Sequence, residues 1–289
     1  MSMNIFYLDG NKLRQIWYNL SGDIENYHRE FYMNTKTIVF IHGMYMIPLS
    51  WGQWPAYFEE KGYQCFAPAW PGRDLPIEIL RQKCLSPDLG ELGLTDVIQT
   101  TTEFIASLPE KPILIGHSMG GLIVQLLLQK DLAAAGVAID SAPPMGVLTT
   151  KWSFLRSNFP HITPFVSQNN PVRMSFRRFQ YTFVNGLPLS EQQAAYDRYV
   201  VPESRRIPRQ SLTARIDFNK PHSPLLMIAG SADHLIPASL NRTNYNRYKS
   251  SPSITVFKEF PGRTHFTIGQ KNWEEVANYI LAWLDERGI

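Results

Sequence analysis

Cysteine is nearly absent from this chain. Two residues in 289, Cys65 and Cys84, cannot build a disulfide framework, so the fold must rest on a buried core. Both are expected to be ordinary buried thiols. Long apolar runs are also missing. The most apolar region, Gly120 to Ile139, is broken by Gln125, Gln129, Lys130 and Asp131, so no integral membrane segment is expected. Near the start, Asp9, Asn11 and Lys12 interrupt any apolar stretch before a signal peptide could develop. Ser2 stands where the myristoylation pattern needs glycine. The net charge of +3 is too small to argue for a nucleic-acid partner, and no Cys/His spacing suits zinc. No internal repeat or low-complexity linker occurs. These absences point to a soluble, cytoplasmic protein with no metal and no organic cofactor. They say nothing of its oligomeric state.

What is present is strand and helix in alternation. Hydrophobic residues make up 44% and charged residues 18%, a balance that suits a folded enzyme. Six aliphatic runs read as buried parallel strands: residues 37–43, 64–70, 112–118, 135–141, 224–230 and 253–260. Helical patterns lie between them, and the stretch from Lys271 to Gly288 is a strongly amphipathic closing helix. Thr95 is placed to cap the helix that follows it. The alternation predicts an α/β protein whose mostly parallel sheet carries helices on both faces. Ile5–Leu8 and Leu13–Trp17 are expected to form an edge hairpin before the parallel set.

The rhythm fails between about Met145 and Arg215. From Lys151 to Arg215 ten Lys and Arg stand against Glu191, Asp197 and Glu203, a local net charge of +7. The stretch reads as a helical insertion over one edge of the sheet. The expected division is core 1–144, helical cap 145–211 and core 212–289. Most of Trp152, Phe154, Phe176, Phe179, Tyr181 and Phe183 should form the insertion's own small core, with one or two facing a substrate. The insertion should cover Ser118. Its basic face is a solvated surface unless the substrate or a membrane is anionic.

Ser118 sits in "GHSMGG", the one G-x-S-x-G of the chain, between an aliphatic strand and a helix. A serine on so tight a turn needs small residues two places either side. Gly116 and Gly120 satisfy that need. The following helix aims its amides and positive dipole end at the serine, so the Met119 N–H is a natural oxyanion donor. A serine hydroxyl is too weakly acidic to ionise alone and needs a base, which in turn needs an orienting carboxylate. Asp233 in "GSADHLIP" and His265 in "GRTHF" each follow a strand end, in the order nucleophile, acid, base. Asp140 in "AIDSAPP" also ends a strand and competes for the acid's place. His234 is a weaker rival to His265.

These pieces, with "FIHGM" near residue 42, resemble the α/β-hydrolase family over nearly the whole chain. The "HSMGG" elbow and the insertion are similar to its capped serine esterase, lipase and lysophospholipase branch. The resemblance implies a catalytic triad of Ser118, Asp233 and His265. It makes Met44, after His42–Gly43, the second oxyanion donor beside Met119. It implies a small-molecule ester or acyl substrate. Relatives with dehalogenase or epoxide-hydrolase activity use an aspartate nucleophile, and Ser118 argues against both. Thioesterase, amidase, perhydrolase and C–C hydrolase chemistry fit the same triad, and a non-catalytic ligand-binding protein of this fold stays open. Among the other histidines, His42 should brace the oxyanion loop and His117 should pack away from Ser118. His28, His161 and His222 are expected in surface or loop roles. Asp74 is expected to be structural, and Glu203 and Arg205 to anchor the insertion.

Overall fold

A computed structural model of the protein describes residues 35–82 and 86–289, and for Ile162 the backbone alone. The expected edge hairpin, His28 and Cys84 lie outside the described residues. All six predicted strands form: β1 Thr37–Ile41, β2 Gln64–Phe66, β3 Ile113–His117, β4 Ala135–Ile139, β5 Leu225–Gly230 and β6 Thr255–Phe260. They make one parallel sheet in the order β2-β1-β3-β4-β5-β6. The second run is a strand only over its first three residues; the rest leaves the sheet as a loop.

The helices, in chain order, are α1 Trp54–Glu59, α2 Ile77–Gln82, α3 Pro87–Glu91, α4 Leu94–Ala106 and α5 Met119–Leu128. Between β4 and β5 come α6 Trp152–Ile162, α7 Phe176–Thr182, α8 Leu189–Tyr199 and α9 Arg206–Ser211. The chain closes with α10 Ala238–Arg247 and α11 Glu274–Asp285 around β6. None of these helices is long and apolar enough to cross a membrane. Helix α4 begins at a Gly93 N-cap rather than at Thr95, the expected cap. The Gly93 amide donates to Asp96 Oδ2 at 2.7 Å, and the Leu94 amide to Gln210 Oε1 at 2.5 Å. An acceptor from the insertion thus takes an amide that local sequence had no partner for.

Two cores flank the sheet because strand side chains alternate faces. Ile38, Phe40, Ile113, Ile115, Leu226 and Ile228 point to the face that α1 and α11 cover with Trp54, Phe58, Val276 and Ile280. Val39, Ile41, Leu114, Leu225 and Met227 point to the other, against α4, α5 and the insertion. The four central strands are buried on both faces, which is why they read as unbroken aliphatic runs, whereas β2 and β6 at the edges are only partly buried. The strand order reverses direction between β1 and β3. Chain leaving β1 goes to one side and returns on the other, opening a crevice at the carboxyl ends of these two strands.

Candidate active site

Ser118 follows β3 directly and is the N-cap of α5. Its φ of +58° and ψ of −117° are strained for a residue with a side chain. Backbone bonds on both sides hold that conformation. Its amide donates to Ile139 O at 2.9 Å, and its carbonyl accepts from Gly121 at 3.0 Å and Ala142 at 2.9 Å. The glycines carry the sterics the sequence suggested. A Cβ on Gly120 would lie 2.1 Å from the Ile41 carbonyl of β1, and one on Gly116 2.2 Å from the Gly120 carbonyl. The strand, the turn and the helix can meet only with hydrogen at both places.

His265 Nε2 lies 3.0 Å from Ser118 Oγ, and His265 Nδ1 lies 2.7 Å from Asp233 Oδ2. The other oxygen, Asp233 Oδ1, accepts from the Leu235 and Ile236 amides at 2.7 and 2.8 Å, which holds Oδ2 toward the imidazole. His265 is completely buried and Ser118 only 6% exposed, so the hydroxyl is largely screened from bulk water. Three contacts from the insertion and its borders close the base's side. The Phe183 carbonyl accepts from the Phe266 amide at 3.0 Å, Asn185 Nδ2 donates to Ala232 O at 2.8 Å, and the Phe183 ring stands edge-on to His265 at 4.7 Å.

The rival acid is placed elsewhere. Asp140 Oδ1 accepts the Gly230 amide at 2.7 Å, while Oδ2 has no partner among the described residues. Burial, and next the nearby Asp233 charge, push the Asp140 carboxyl well above the usual carboxylate range. A buried acid with a raised pKa contributes stability below its unfolded value of about 3.8, and that contribution is lost as pH rises through the raised folded value. A side-chain amide cannot ionise. Asp140→Asn should therefore melt at a higher temperature than the parent, with a gain that widens as pH climbs above 4. A gain that shrinks with pH in a calorimetric series contradicts this.

The histidines sort differently from expectation. His42 braces the loop after β1 as predicted. Its Nδ1 donates to Gly43 O at 2.9 Å, its Nε2 accepts from the Trp70 amide at 3.4 Å, and the ring stacks on Trp70 at 4.5 Å. Burial lowers it to about 3, so it is neutral. His117 does more than pack: its Nε2 donates to the carbonyl of His265 at 2.7 Å and tethers the residue that faces Ser118. His234 Nδ1 contacts the Tyr181 carbonyl at 3.0 Å rather than the serine. His161 is not at the surface. It is buried on the cavity wall described below, with Nδ1 2.6 Å from the Tyr45 hydroxyl. Nothing around "NFPHI" in the sequence signalled that contact.

His117, Asp140 and His265 bring donor atoms within 4.8 Å of one another. Both ring nitrogens of His265 already face Asp233 and Ser118. A cation here would have to displace those bonds, so the donor set does not fit a metal centre.

Met44 and Met119 flank Ser118 on the wall of one cavity of about 270 Å³. Neither backbone N–H donates to a backbone carbonyl in the described turns and loops. The wall is mostly apolar, with Phe154, Leu155, Met174, Phe183 and Leu235 among its residues. Of the insertion's aromatics, Phe154 and Phe183 reach this cavity. Phe179 is buried behind them against Phe183 and Tyr196, and Trp152 is exposed.

The loop beside Ser118 is fastened by a buried ion pair that the sequence did not reveal. Glu203, at the insertion's end, accepts from Arg73 Nη2 at 2.6 Å, the Ser204 amide at 2.8 Å and the Tyr45 amide at 3.0 Å. Arg73 also donates to Pro202 O at 2.6 Å, and the Val201 amide to Tyr45 O at 3.0 Å. Arg73, not the neighbouring exposed Asp74, is the buried member of that loop. Removing one partner strands the other charge, which costs about 3–5 kcal/mol. Glu203→Gln should lower the melting temperature by roughly 10 °C. A thermal melt within about 2 °C of the parent would refute a structural role for the pair.

A strand-end serine, imidazole and carboxylate in line, in the crevice of a parallel sheet, is the layout of the hydrolase class. The chain belongs to the Alpha/beta hydrolase family, which it matches over residues 38–279. A Paenibacillus extracellular alpha/beta-hydrolase, described as sharing structural and functional homology with tobacco salicylic acid binding protein 2, is 22% identical. It superposes with a TM-score of 0.63 over 85% of this chain and 98% of its own. Polyneuridine aldehyde esterase is 15% identical, with a TM-score of 0.62 over 86% of this chain and 99% of its own. A monoacylglycerol lipase from Paleococcus ferrophilus is 19% identical, with a TM-score of 0.59 over 87% of this chain and 94% of its own. At these identities the likeness shows the fold. No curated protein matches the chain in sequence.

Proposed function

We propose that the protein is a serine hydrolase of carboxylic esters. The observation that carries this is the hydrogen-bonded line Ser118–His265–Asp233 opening on an apolar cavity. Ser118 Oγ attacks the ester carbonyl as His265 Nε2 takes its proton. Asp233 holds the imidazole in the tautomer that accepts at Nε2 and stabilises the cation that forms. The Met44 and Met119 amides receive the oxyanion. The protonated imidazole gives its proton to the departing alcohol, and water then cleaves the acyl-enzyme by the same relay. The insertion acts as a cap: Phe154, Leu155 and Phe183 surround the acyl or alkyl group and exclude water. Esterase and lipase names among the structural neighbours favour this bond over a thioester or amide.

The test is a p-nitrophenyl ester series of increasing acyl length, run beside a thioester and a lysophospholipid. Steady turnover of at least one ester, with stoichiometric labelling by a fluorophosphonate, is expected. Ligand binding without turnover would instead make the chain a binding protein of this fold.

A further inference from the structure

The cavity beside Ser118 reaches the surface through apolar side chains. Met145, Leu148, Leu155 and Leu212 line it and are at the same time exposed to solvent, so they form its rim. The apolar surface continues outward along α6. Trp152, Leu155 and Phe159 recur at i, i+3 and i+7, the spacing of one helix face. Trp152 is 72% exposed and Phe159 57%. Phe154 and Asn158 of the same helix line the cavity, and Leu155 belongs to both the cavity wall and the outer face. Phe165, 88% exposed, stands on the loop after α6. Arg209 of α9 fastens that loop by donating to the Thr163 and Val166 carbonyls. A single exposed leucine is ordinary, but large apolar side chains gathered at the mouth of a cavity mark a contact surface.

The charge along this part of the chain has one sign. Between Ser141 and Ser190 there are five Lys and Arg and no Asp or Glu. Lys151 directly precedes Trp152 and is exposed. Arg156 follows Leu155 on α6, is exposed, and lies over the Tyr181 ring at 4.0 Å. Neither cation pairs with a carboxylate among the described residues. An apolar face that carries a tryptophan, flanked by cations and free of acids, complements negative headgroups over a hydrocarbon interior. A protein partner or a second copy seated on the rim would close the cavity mouth. A lipid surface leaves the mouth facing the phase in which an apolar ester dissolves.

We infer that the insertion docks on an anionic lipid surface through Trp152, Phe159, Phe165 and the rim, so that substrate enters the cavity from the lipid. The substrate class is an ester with an apolar chain that partitions into a bilayer. Its identity as an ester rests on the hydrolase reading above, which the docking deepens. Trp152 and Phe159 enter the headgroup boundary, and Lys151 and Arg156 meet the lipid phosphates.

The experiment floats the full chain with vesicles of phosphatidylcholine alone and with vesicles of phosphatidylcholine and phosphatidylglycerol in equal parts. Binding should be about tenfold or more tighter to the anionic vesicles and should weaken as salt is raised. Tryptophan emission should shift to the blue on binding. Trp152→Phe, which stays apolar, should keep the binding and lose most of that shift. Trp152→Ser combined with Phe159→Ser leaves the charge unchanged and should reduce binding by about tenfold or more. The same double variant should turn over p-nitrophenyl acetate in free solution as the parent does, because neither side chain lines the cavity. On a long-chain p-nitrophenyl ester dissolved in the anionic vesicles it should be slower than the parent. Failure of the parent to float with anionic vesicles, or equal binding by the double variant, overturns the docking. A dimer that the double substitution dissociates, without vesicle binding, would put a second copy on this face and also overturn it. No turnover of any ester overturns the hydrolase reading, and the flotation result, which needs no turnover, still decides the docking.

Discussion

Ser118→Ala folds like the parent, turns over no ester and takes no fluorophosphonate label. This is the largest effect expected, because no other hydroxyl can take its place in the line. His265 Nε2 faces Ser118 Oγ at 3.0 Å, and the imidazole ring is flanked by the Phe183 ring at 4.7 Å and the His117 ring at 4.8 Å. The replacement removes one oxygen and keeps Cβ. The backbone bonds that hold the turn, to Ile139, Gly121 and Ala142, do not involve that oxygen. Alanine carries the same Cβ at the same positive φ that Ser118 already holds, so the strain is unchanged and stability should stay within about 1 kcal/mol of the parent. Rate loss should reach a factor of about a million, as when the nucleophile of a triad is removed. Intact-protein mass spectrometry reads the label directly. Label on the Ser118→Ala protein would place the nucleophile elsewhere.

Asp233→Asn should cost a factor on the order of ten thousand in kcat, while Asp140→Asn should cost less than tenfold. The two carboxyls are neighbours, and their hydrogen bonds separate their roles. Asp233 Oδ2 is 2.7 Å from His265 Nδ1, and an amide nitrogen turned there would meet an N–H or force the wrong tautomer. Asp140 offers Oδ1 to the Gly230 amide, and asparagine can keep that bond through its own oxygen. Kinetics of the two variants on one p-nitrophenyl ester, with circular dichroism to verify folding, decide between them. Greater damage from Asp140→Asn would transfer the acid's role to β4.

The four central strands were legible because burial on both faces leaves an aliphatic signature in five or six consecutive residues, and the partly buried edge strands β2 and β6 by their place in the strand–helix alternation. The turn at Ser118 was legible for the same local reason. Its glycines answer clashes with chain that is either adjacent or forced there by the strand–helix turn itself, such as the Ile41 carbonyl. The order of Ser118, Asp233 and His265 along the chain needed only strand ends to be counted. Composition, periodicity and turn chemistry are short-range, and they determined the sheet, the helices and the candidate residues. Long-range contact decided the rest. That His265 meets Asp233 and not Asp140, that His117 holds the His265 carbonyl, and that Glu203 reaches the Tyr45 amide across 158 residues depend on packing of segments far apart in the chain. His161 shows the difference most plainly. Its neighbours in sequence carry no motif, and its place beside Tyr45 exists only because α6 lies over the loop after β1. A buried polar pair is recognisable by its partner, and a partner 116 residues away leaves no periodic trace in either segment.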